Sequence, residues 1–245
     1  MVNKKRLDLV LIHPGHRGRI YQGLGKNLSG VETPIWAGLF ATFIRNKGFS
    51  VAIIDGEAEN LNPEDTVKRV VELDPVLATI VVYGHQPSAS TQNMTVAGEI
   101  ASGIKDLAPN LPTLMVGGHV ASLPERTMRD ENIDFVAGGE GPYTVLDLLQ
   151  ALKAGETKMD KVRGLWYRDG DALVSNPIPP LLMNVEQEMP GVAWDLLPMK
   201  EYRAHNWHCF GDLNRQPYAA IYTTLGCPYH CSFCSIPVIK HKVRY

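Results

Sequence analysis

The sequence predicts an α/β protein built on a doubly wound, flavodoxin/Rossmann-like parallel sheet of five strands. Three observations carry that expectation. Short apolar runs alternate with amphipathic segments through roughly the first 154 residues, the pattern of a parallel sheet with helices on both faces. The runs are continuously apolar rather than alternating, as strands buried on two sides are. Most of them end in glycine, proline or histidine, as tight strand-to-helix turns do.

The elements follow in order. Leu7 to Ile12 reads as a buried strand ended by His13-Pro14-Gly15, followed by a Gly-rich, basic loop from His16 to Gly30. Thr33-Pro34 predicts a helix start, Thr as cap and Pro at the first helical position. Trp36, Leu39, Phe40, Phe43 and Ile44 then share a helical face, and Gly48 is a suitable stop. Val51 to Ile54 is the second strand, ending at Asp55-Gly56, and Asn62-Pro63 opens the next helix with Val67, Val70 and Val71 inward. Leu77 to Val82 runs into Tyr83-Gly84-His85, and a helix carrying Met94, Ala97, Ala101, Ile104 and Leu107 leads to the strand Thr113 to Val116. That strand ends in Gly117-Gly118-His119; a short helix after Pro124 precedes Phe135-Val136-Ala137, which ends in Gly138-Gly139-Glu140-Gly141. The last helix of this region runs from about Tyr143 to Ala154.

The pattern changes after Gly155. Gly164 to Asn176 predicts a β-hairpin turning at Asp169-Gly170. The Pro-rich and Trp-containing stretch that follows reads as a packed linker, because its Trp and Leu side chains need burial. Tyr218 to Thr223 is expected to be a further strand, leading directly into a group of cysteines. The domains are therefore placed at 1–156, then a hairpin and linker at 157–216, then a new domain beginning at 217–245.

Composition narrows the function. A net charge of −2, with 44% hydrophobic and 20% charged residues, removes the electrostatic case for a nucleic-acid partner. No apolar run reaches the ~18 residues of a membrane span. Lys4-Lys5-Arg6 is followed too soon by Asp8 and by His13-Pro14 for a secretory signal. The expectation is a soluble cytoplasmic protein with no membrane partner.

Of the four cysteines, Cys227, Cys231 and Cys234 fall within eight residues. A disulfide framework spreads its cysteines through the fold, whereas a tight group in a cytosolic protein reads as a metal or iron–sulfur site. The form C-x3-C-x2-C offers three thiolates, enough for three corners of a four-iron cubane with one iron left open. The alternative is zinc, with Cys209, His208 or His230 as the fourth ligand, although zinc sites usually draw on paired knuckles. Cys209 otherwise reads as a small buried thiol.

In a doubly wound sheet, ligands bind at the carboxyl ends of the strands. Those ends place Pro14, Gly15, Tyr83, Gly84, His85, Gly117, Gly118, His119, Gly139, Glu140 and Gly141 as candidate cofactor-binding residues. Glycine there permits positive φ and close backbone approach. No P-loop is present, nor does the first strand lead into G-x-G-x-x-G, which disfavours a nicotinamide site.

The cysteine spacing, with Phe233 just before the last Cys, resembles the radical S-adenosylmethionine enzymes. The strand ending near Pro14, Ala37-Gly38-Leu39, Asp55, Gly117-Gly118-His119, Gly139-Glu140-Gly141 and the hairpin extend the likeness. So does Ala193-Trp194-Asp195-Leu196-Leu197-Pro198 ahead of Gly226-Cys227-Pro228. In that order, over nearly the whole chain, they resemble the cobalamin-dependent (B12-dependent) radical S-adenosylmethionine enzymes, a group that includes many methyltransferases.

The resemblance implies Cys227, Cys231 and Cys234 as ligands of a 4Fe-4S cluster, S-adenosylmethionine on its open iron, and Phe233 positioning the adenine through its backbone. It implies cobalamin on the first domain, a 5′-deoxyadenosyl radical, methylcobalamin as methyl donor, a small-molecule substrate and an external electron donor. No residue is assigned as a general acid or base; the cofactors carry the hard steps. The motif Asp-x-His-x-x-Gly, which supplies a lower cobalt ligand in many cobalamin proteins, is missing, so a cobalt with no histidine below it is expected. A barrel of the TIM type takes ~200 or more residues, and only Ser235 to Tyr245 follow the cysteines. The segment from 217 is thus expected to be the first strand and loop of such a barrel, in a fragment inactive alone. Three alternatives stay open: a cyclase or rearrangement enzyme of the tetrapyrrole type, a non-catalytic corrinoid carrier, and a zinc-binding module.

Overall fold

The computed structural model describes residues 6–15, 30–84, 87–205, 216–234 and 243–244. Its centre is a mixed sheet of seven strands in the order β2-β1-β3-β4-β5-β6-β7. Strands β1 (Leu9–His13), β2 (Val51–Asp55), β3 (Leu77–Val82), β4 (Thr113–Gly117) and β5 (Phe135–Ala137) are parallel. Their order, 2-1-3-4-5, is that of the flavodoxin-like doubly wound sheets, with its switch point between β1 and β3.

Alternation along β1 shows why the strand is continuously apolar. Leu9 and Leu11 enter the core on one face and Val10 and Ile12 the core on the other, all fully buried. Helices α1 (Ile35–Asn46) and α6 (Pro142–Ala154) cover the first face through Phe40, Phe43, Ile44, Leu148 and Leu149. Helices α2 (Pro63–Leu73) and α3 (Pro87–Leu107), with short α4 (Gly118–Ser122) and α5 (Pro124–Asp130), cover the second. Each fully buried Leu, Ile or Phe contributes about 1.5–3 kcal/mol, so the two cores account for most of the favourable term in folding.

Helix starts divide by the chemistry of the residue before proline. Asn62 caps α2 as expected: its side chain accepts from the Asp65 amide at 2.8 Å, with Pro63 in the first turn. Thr33 does not cap α1. Pro34 takes the N-cap place with no side-chain bond, and the Thr33 hydroxyl is buried without a partner. The amide of Ile35 instead donates to the Thr33 carbonyl at 2.8 Å.

Two further expectations are revised. The hairpin β6 (Leu165–Asp169) and β7 (Ala172–Ser175) forms, turning at Gly170 with φ of 58°, but it is no separate linker element. It pairs antiparallel with β5 through Phe135–Tyr167, Val136–Trp166 and Ala137–Leu165, which covers an otherwise open sheet edge. The strand expected at Tyr218 to Thr223 is not formed. A strand exists only as one side of a ladder, and the pairing near it is a single antiparallel bridge between Leu225 and Arg244.

The linker itself is packed, as its Trp and Leu content requires. Leu182, Met189, Ala193, Leu197 and Tyr202 join the core of the α1/α6 face. Gly38 makes this possible: a Cβ there would lie 2.3 Å from Val192 Cγ1, and the Ala193 amide donates to the Gly38 carbonyl at 3.2 Å. Arg45 adds an ion pair to Asp195, its Nη1 donating to both carboxylate oxygens at 2.8 and 2.9 Å, half in solvent and so worth little by itself. Ala37-Gly38 and Ala193-Trp194-Asp195 are thus the two sides of one contact. Among the described residues, no helix is long and apolar enough to cross a membrane.

Candidate functional site

The carboxyl ends of β1 to β5 lie along one edge of the sheet, and most of the residues singled out by sequence lie there. Several of the glycines there have a packing reason of their own. A Cβ on Gly15 would sit 2.2 Å from the Glu57 amide nitrogen, on Gly84 2.3 Å from Ala89 Cβ, and on Gly117 2.1 Å from the Val82 carbonyl. Gly139 and Gly141 have φ of 78° and 98°, the left-handed region that favours glycine. Gly141 also sits at the N-cap of α6, and a Cβ there would lie 3.1 Å from the Phe40 ring. The edge is compact because adjacent turns touch, a reason no single motif displays.

At the β1 and β2 ends, three acidic or basic side chains share a dry corner. Asp55 is buried; its Oδ1 accepts from the amides of Glu57 and Ala58, both at 3.1 Å, and its Oδ2 accepts from the Tyr202 hydroxyl at 2.7 Å. Burial raises the Asp55 carboxyl above its ordinary range, against the opposing pull of His13. Burial opposes charge on His13 too, but the Glu57 carboxylate, 3.9 Å away, together with Asp55 holds its imidazolium above the ordinary value. Beside it, Gly15 packs against Gly56, whose amide donates to the His13 carbonyl at 3.0 Å, with Pro14 between His13 and Gly15 in the chain.

At the β3 end, Tyr83 stacks on Trp36 with centroids 4.6 Å apart, and the tilted ring of Tyr222 lies 6.3 Å from Trp36. The cavity among His13, Trp36, Tyr83 and Tyr222 has a volume of only about 10 Å³, room for a single water. The Tyr83 hydroxyl donates to the Glu140 carbonyl at 3.0 Å, and burial and the Glu140 charge push its pKa up. His85 lies outside the described residues. At the β4 end, Gly118 and His119 begin α4. The His119 amide donates to Ser90 Oγ at 2.9 Å, and its Nδ1 is 3.0 Å from Thr91 Oγ1. Burial, with Arg126 nearby, lowers its pKa and favours the neutral ring.

The β5 end holds the largest surprise. Glu140 is buried and faces Arg244, which comes from beyond the cysteines. Arg244 Nη1 donates to Glu140 Oε2 at 2.7 Å, Nη2 to Oε1, and Nη1 also to the Leu182 carbonyl at 2.8 Å. The Leu182 amide donates to the same carboxylate at 3.0 Å. The carboxylate thus accepts from three protein donors and has little capacity left. Beside this turn, a cleft of about 430 Å³ is lined by Gly139, Gly141, Tyr143, Ile178, Pro180 and Met183, a volume in the range of ligand sites.

Cys227, Cys231 and Cys234 are free thiols, and the Cys234 amide donates to the Cys231 carbonyl at 3.1 Å, a single turn. Among the described residues, no three His, Cys, Asp or Glu side chains are grouped as a metal ion would need. Phe233 is 91% exposed. Cys209 and His208 lie outside the described residues. Sequence reasoning missed Tyr202, Arg244 and the pairing of Trp36 with Tyr83. Tyr202 and Arg244 are lone residues in stretches without periodicity, Trp36 and Tyr83 belong to different elements, and only folding shows the partner of each.

Comparison with known proteins now bears on this edge. The B12-binding domain family matches residues 21–149, more than half of the chain. An uncharacterized methyltransferase of Pyrococcus horikoshii is 34% identical over 232 residues, covering 94% of this chain and 46% of its own length. The anaerobic magnesium-protoporphyrin IX monomethyl ester cyclase of Cereibacter sphaeroides is 26% identical over 235 residues, covering 94% of this chain and 35% of its own. The chain thus spans less than half the length of these relatives. Among solved structures, the radical S-adenosylmethionine methyltransferase TsrM from Kitasatospora setae, with cobalamin and a [4Fe-4S] cluster bound, superposes with a TM-score of 0.64. It is 17% identical, and the match covers 98% of this chain and 43% of that one, a likeness of fold. With the matched segment running from before α1 into α6, and so taking in the helices on both faces of the sheet, the chain belongs to the B12-binding domain family.

Proposed function

We propose that the chain is the cobalamin-binding part, with the cluster-bearing loop, of a cobalamin-dependent radical S-adenosylmethionine enzyme that transfers a methyl group to a small molecule. One observation carries the reading. Three free thiols spaced C-x3-C-x2-C lie on a segment flanked by Tyr222, which lies against Trp36 of α1, and Arg244, which pairs with Glu140 just after β5 of a B12-family sheet. The donor set fits an iron–sulfur cluster, which takes cysteine thiolates. When bound, cobalamin supplies a methyl carrier, and the cluster with S-adenosylmethionine supplies a radical.

The chain's own residues place and shield these groups. Gly139 and Gly141 of the turn after β5, with Tyr143, line a cleft that offers room for part of a large ligand. His13 is buried between Asp55 and Glu57, and His119 is held against Thr91. Neither is preceded by Asp two positions earlier, which supports a cobalt without a protein histidine beneath it. Free thiols suit a reducing cytoplasm, and the reduced cluster needs an external electron donor.

Anaerobic titration with hydroxocobalamin, then reduction and an EPR spectrum of Co(II), tests the first half: binding without nitrogen splitting is expected. No binding by the polypeptide with its full barrel overturns it. Metal analysis tests the second half, where about four irons per chain are expected and one zinc with no iron overturns it. A cyclase reading is favoured by the likeness to the Cereibacter enzyme. Isotope from the methyl group of S-adenosylmethionine appearing in product separates transfer from cyclisation.

A further inference from the structure

Among the described residues, the two ends of the cysteine loop are joined by the bridge between Leu225 and Arg244. The Leu225 amide donates to the Arg244 carbonyl at 3.0 Å and the Arg244 amide to the Leu225 carbonyl at 2.9 Å. Cys227, Cys231 and Cys234 all fall between these two residues. The side chain of Arg244, 1% exposed, then enters the protein and ends on Glu140 at the carboxyl end of β5, 104 residues away in sequence. Glu140 in turn is fixed from two other directions: its carbonyl accepts from Tyr83 at the β3 end, and its carboxylate accepts from the Leu182 amide of the linker.

We propose that Glu140 and Arg244 are positioning residues that fasten the base of the cysteine loop to the cofactor edge of the sheet, and so set how the two cofactor sites face each other. The inference rests on the functional reading above. Chemistry favours this role over a contact with ligand. A carboxylate already accepting from both guanidinium nitrogens and a backbone amide has little capacity left for another donor. A buried ion pair is also a poor stabiliser relative to apolar packing and a good specifier of register. The forked geometry admits one placement of Arg244, and with it one placement of Leu225, whereas apolar packing would tolerate sliding.

The test uses the full-length protein with Glu140→Gln and Arg244→Lys, which keep size and hydrogen-bonding groups but lose the charge or the fork. Amide hydrogen exchange is read first, without cofactors. The expected result is about tenfold or faster exchange at Leu225 and Arg244 in both variants, with the β1 and β3 amides unchanged. Unchanged exchange at Leu225, or an equal rise through β1 and β3, overturns the proposal, since the pair would then be idle or merely structural. The second readout is the magnetic coupling between Co(II) and the reduced cluster at equal cobalt and iron content, which should weaken or broaden in both variants. Coupling identical to wild type in both overturns the positioning role. Wild-type protein that takes up neither cobalt nor iron overturns the functional reading instead, and the exchange result stands apart from it.

Discussion

Two carboxylates are buried at opposite ends of the same sheet edge, and they are satisfied differently. At β2, Asp55 accepts two backbone amides and a neutral partner, the Tyr202 hydroxyl, with the imidazole of His13 nearby. At β5, Glu140 faces a full cation, Arg244, in a bidentate pair with both side chains almost wholly buried. Each partner arrives from the C-terminal third of the chain, Tyr202 from the linker and Arg244 from beyond the cysteine loop. The difference teaches what each end is built to do. A hydroxyl on a buried acid anchors a linker and tolerates adjustment, whereas a buried fork fixes one arrangement and is costly to leave half-made.

Breaking the β5 end should therefore cost most. Arg244→Met leaves the Glu140 charge buried and unpaired, and a loss of about 3–5 kcal/mol is expected by urea denaturation. Glu140→Leu with Arg244→Met, which removes both charges together, should recover most of it. A double variant no better than the single would mean that shape rather than charge holds this end. Tyr202→Phe breaks the β2 end more gently. It deletes one donor to a buried carboxylate, and a loss of about 1.5–3 kcal/mol is expected by the same assay. A loss as large as that of Arg244→Met would erase the contrast between the ends.

The β2 end should also be the one that senses pH. The folded-state pKa of His13 is raised, so its imidazolium contributes stability fully below the ordinary value of 6.5 and loses it as pH rises through the folded value. The melting temperature of wild type should exceed that of His13→Gln most near pH 6, and the gap should narrow towards pH 9. A gap that widens with pH would reverse the sign of the His13 interaction with Asp55 and Glu57. The smallest stability change is expected in the loop between the two partners. Cys231 is exposed, so Cys231→Ala should alter unfolding by less than about 0.5 kcal/mol while lowering iron content. Iron content equal to wild type would remove that thiol from the cluster.

Much of this architecture was legible residue by residue. Leu7 to Ile12 and Leu77 to Val82 read as strands because the runs are short, apolar throughout and ended by glycine or proline, and the structure forms them at Leu9–His13 and Leu77–Val82; Asn62-Pro63 marks the α2 start through local capping chemistry alone. Thr33-Pro34 carried the same kind of signal and misled, because here the turn is held by the Thr33 carbonyl and leaves its hydroxyl unused. Tyr218 to Thr223 misled for a different reason: its composition suits a strand, yet strand formation depends on a neighbour that composition does not supply. Gly117 stands among the candidate cofactor contacts by its place at a strand end, and the structure adds a packing reason for glycine there, the Val82 carbonyl of the neighbouring strand.

The sequence by itself determined the parallel α/β class, the positions of the five parallel strands and the cysteine spacing, because each rests on periodicity or short-range chemistry within a few residues. Only the tertiary structure decided that the hairpin joins the sheet edge, that Gly38 receives the linker, and that Asp55 and Glu140 take partners 147 and 104 residues away. Those choices depend on which buried polar group lies within hydrogen-bonding reach once the chain has collapsed, and burial favours them strongly for a carboxylate, since an unpaired charge there costs more than the bond itself returns.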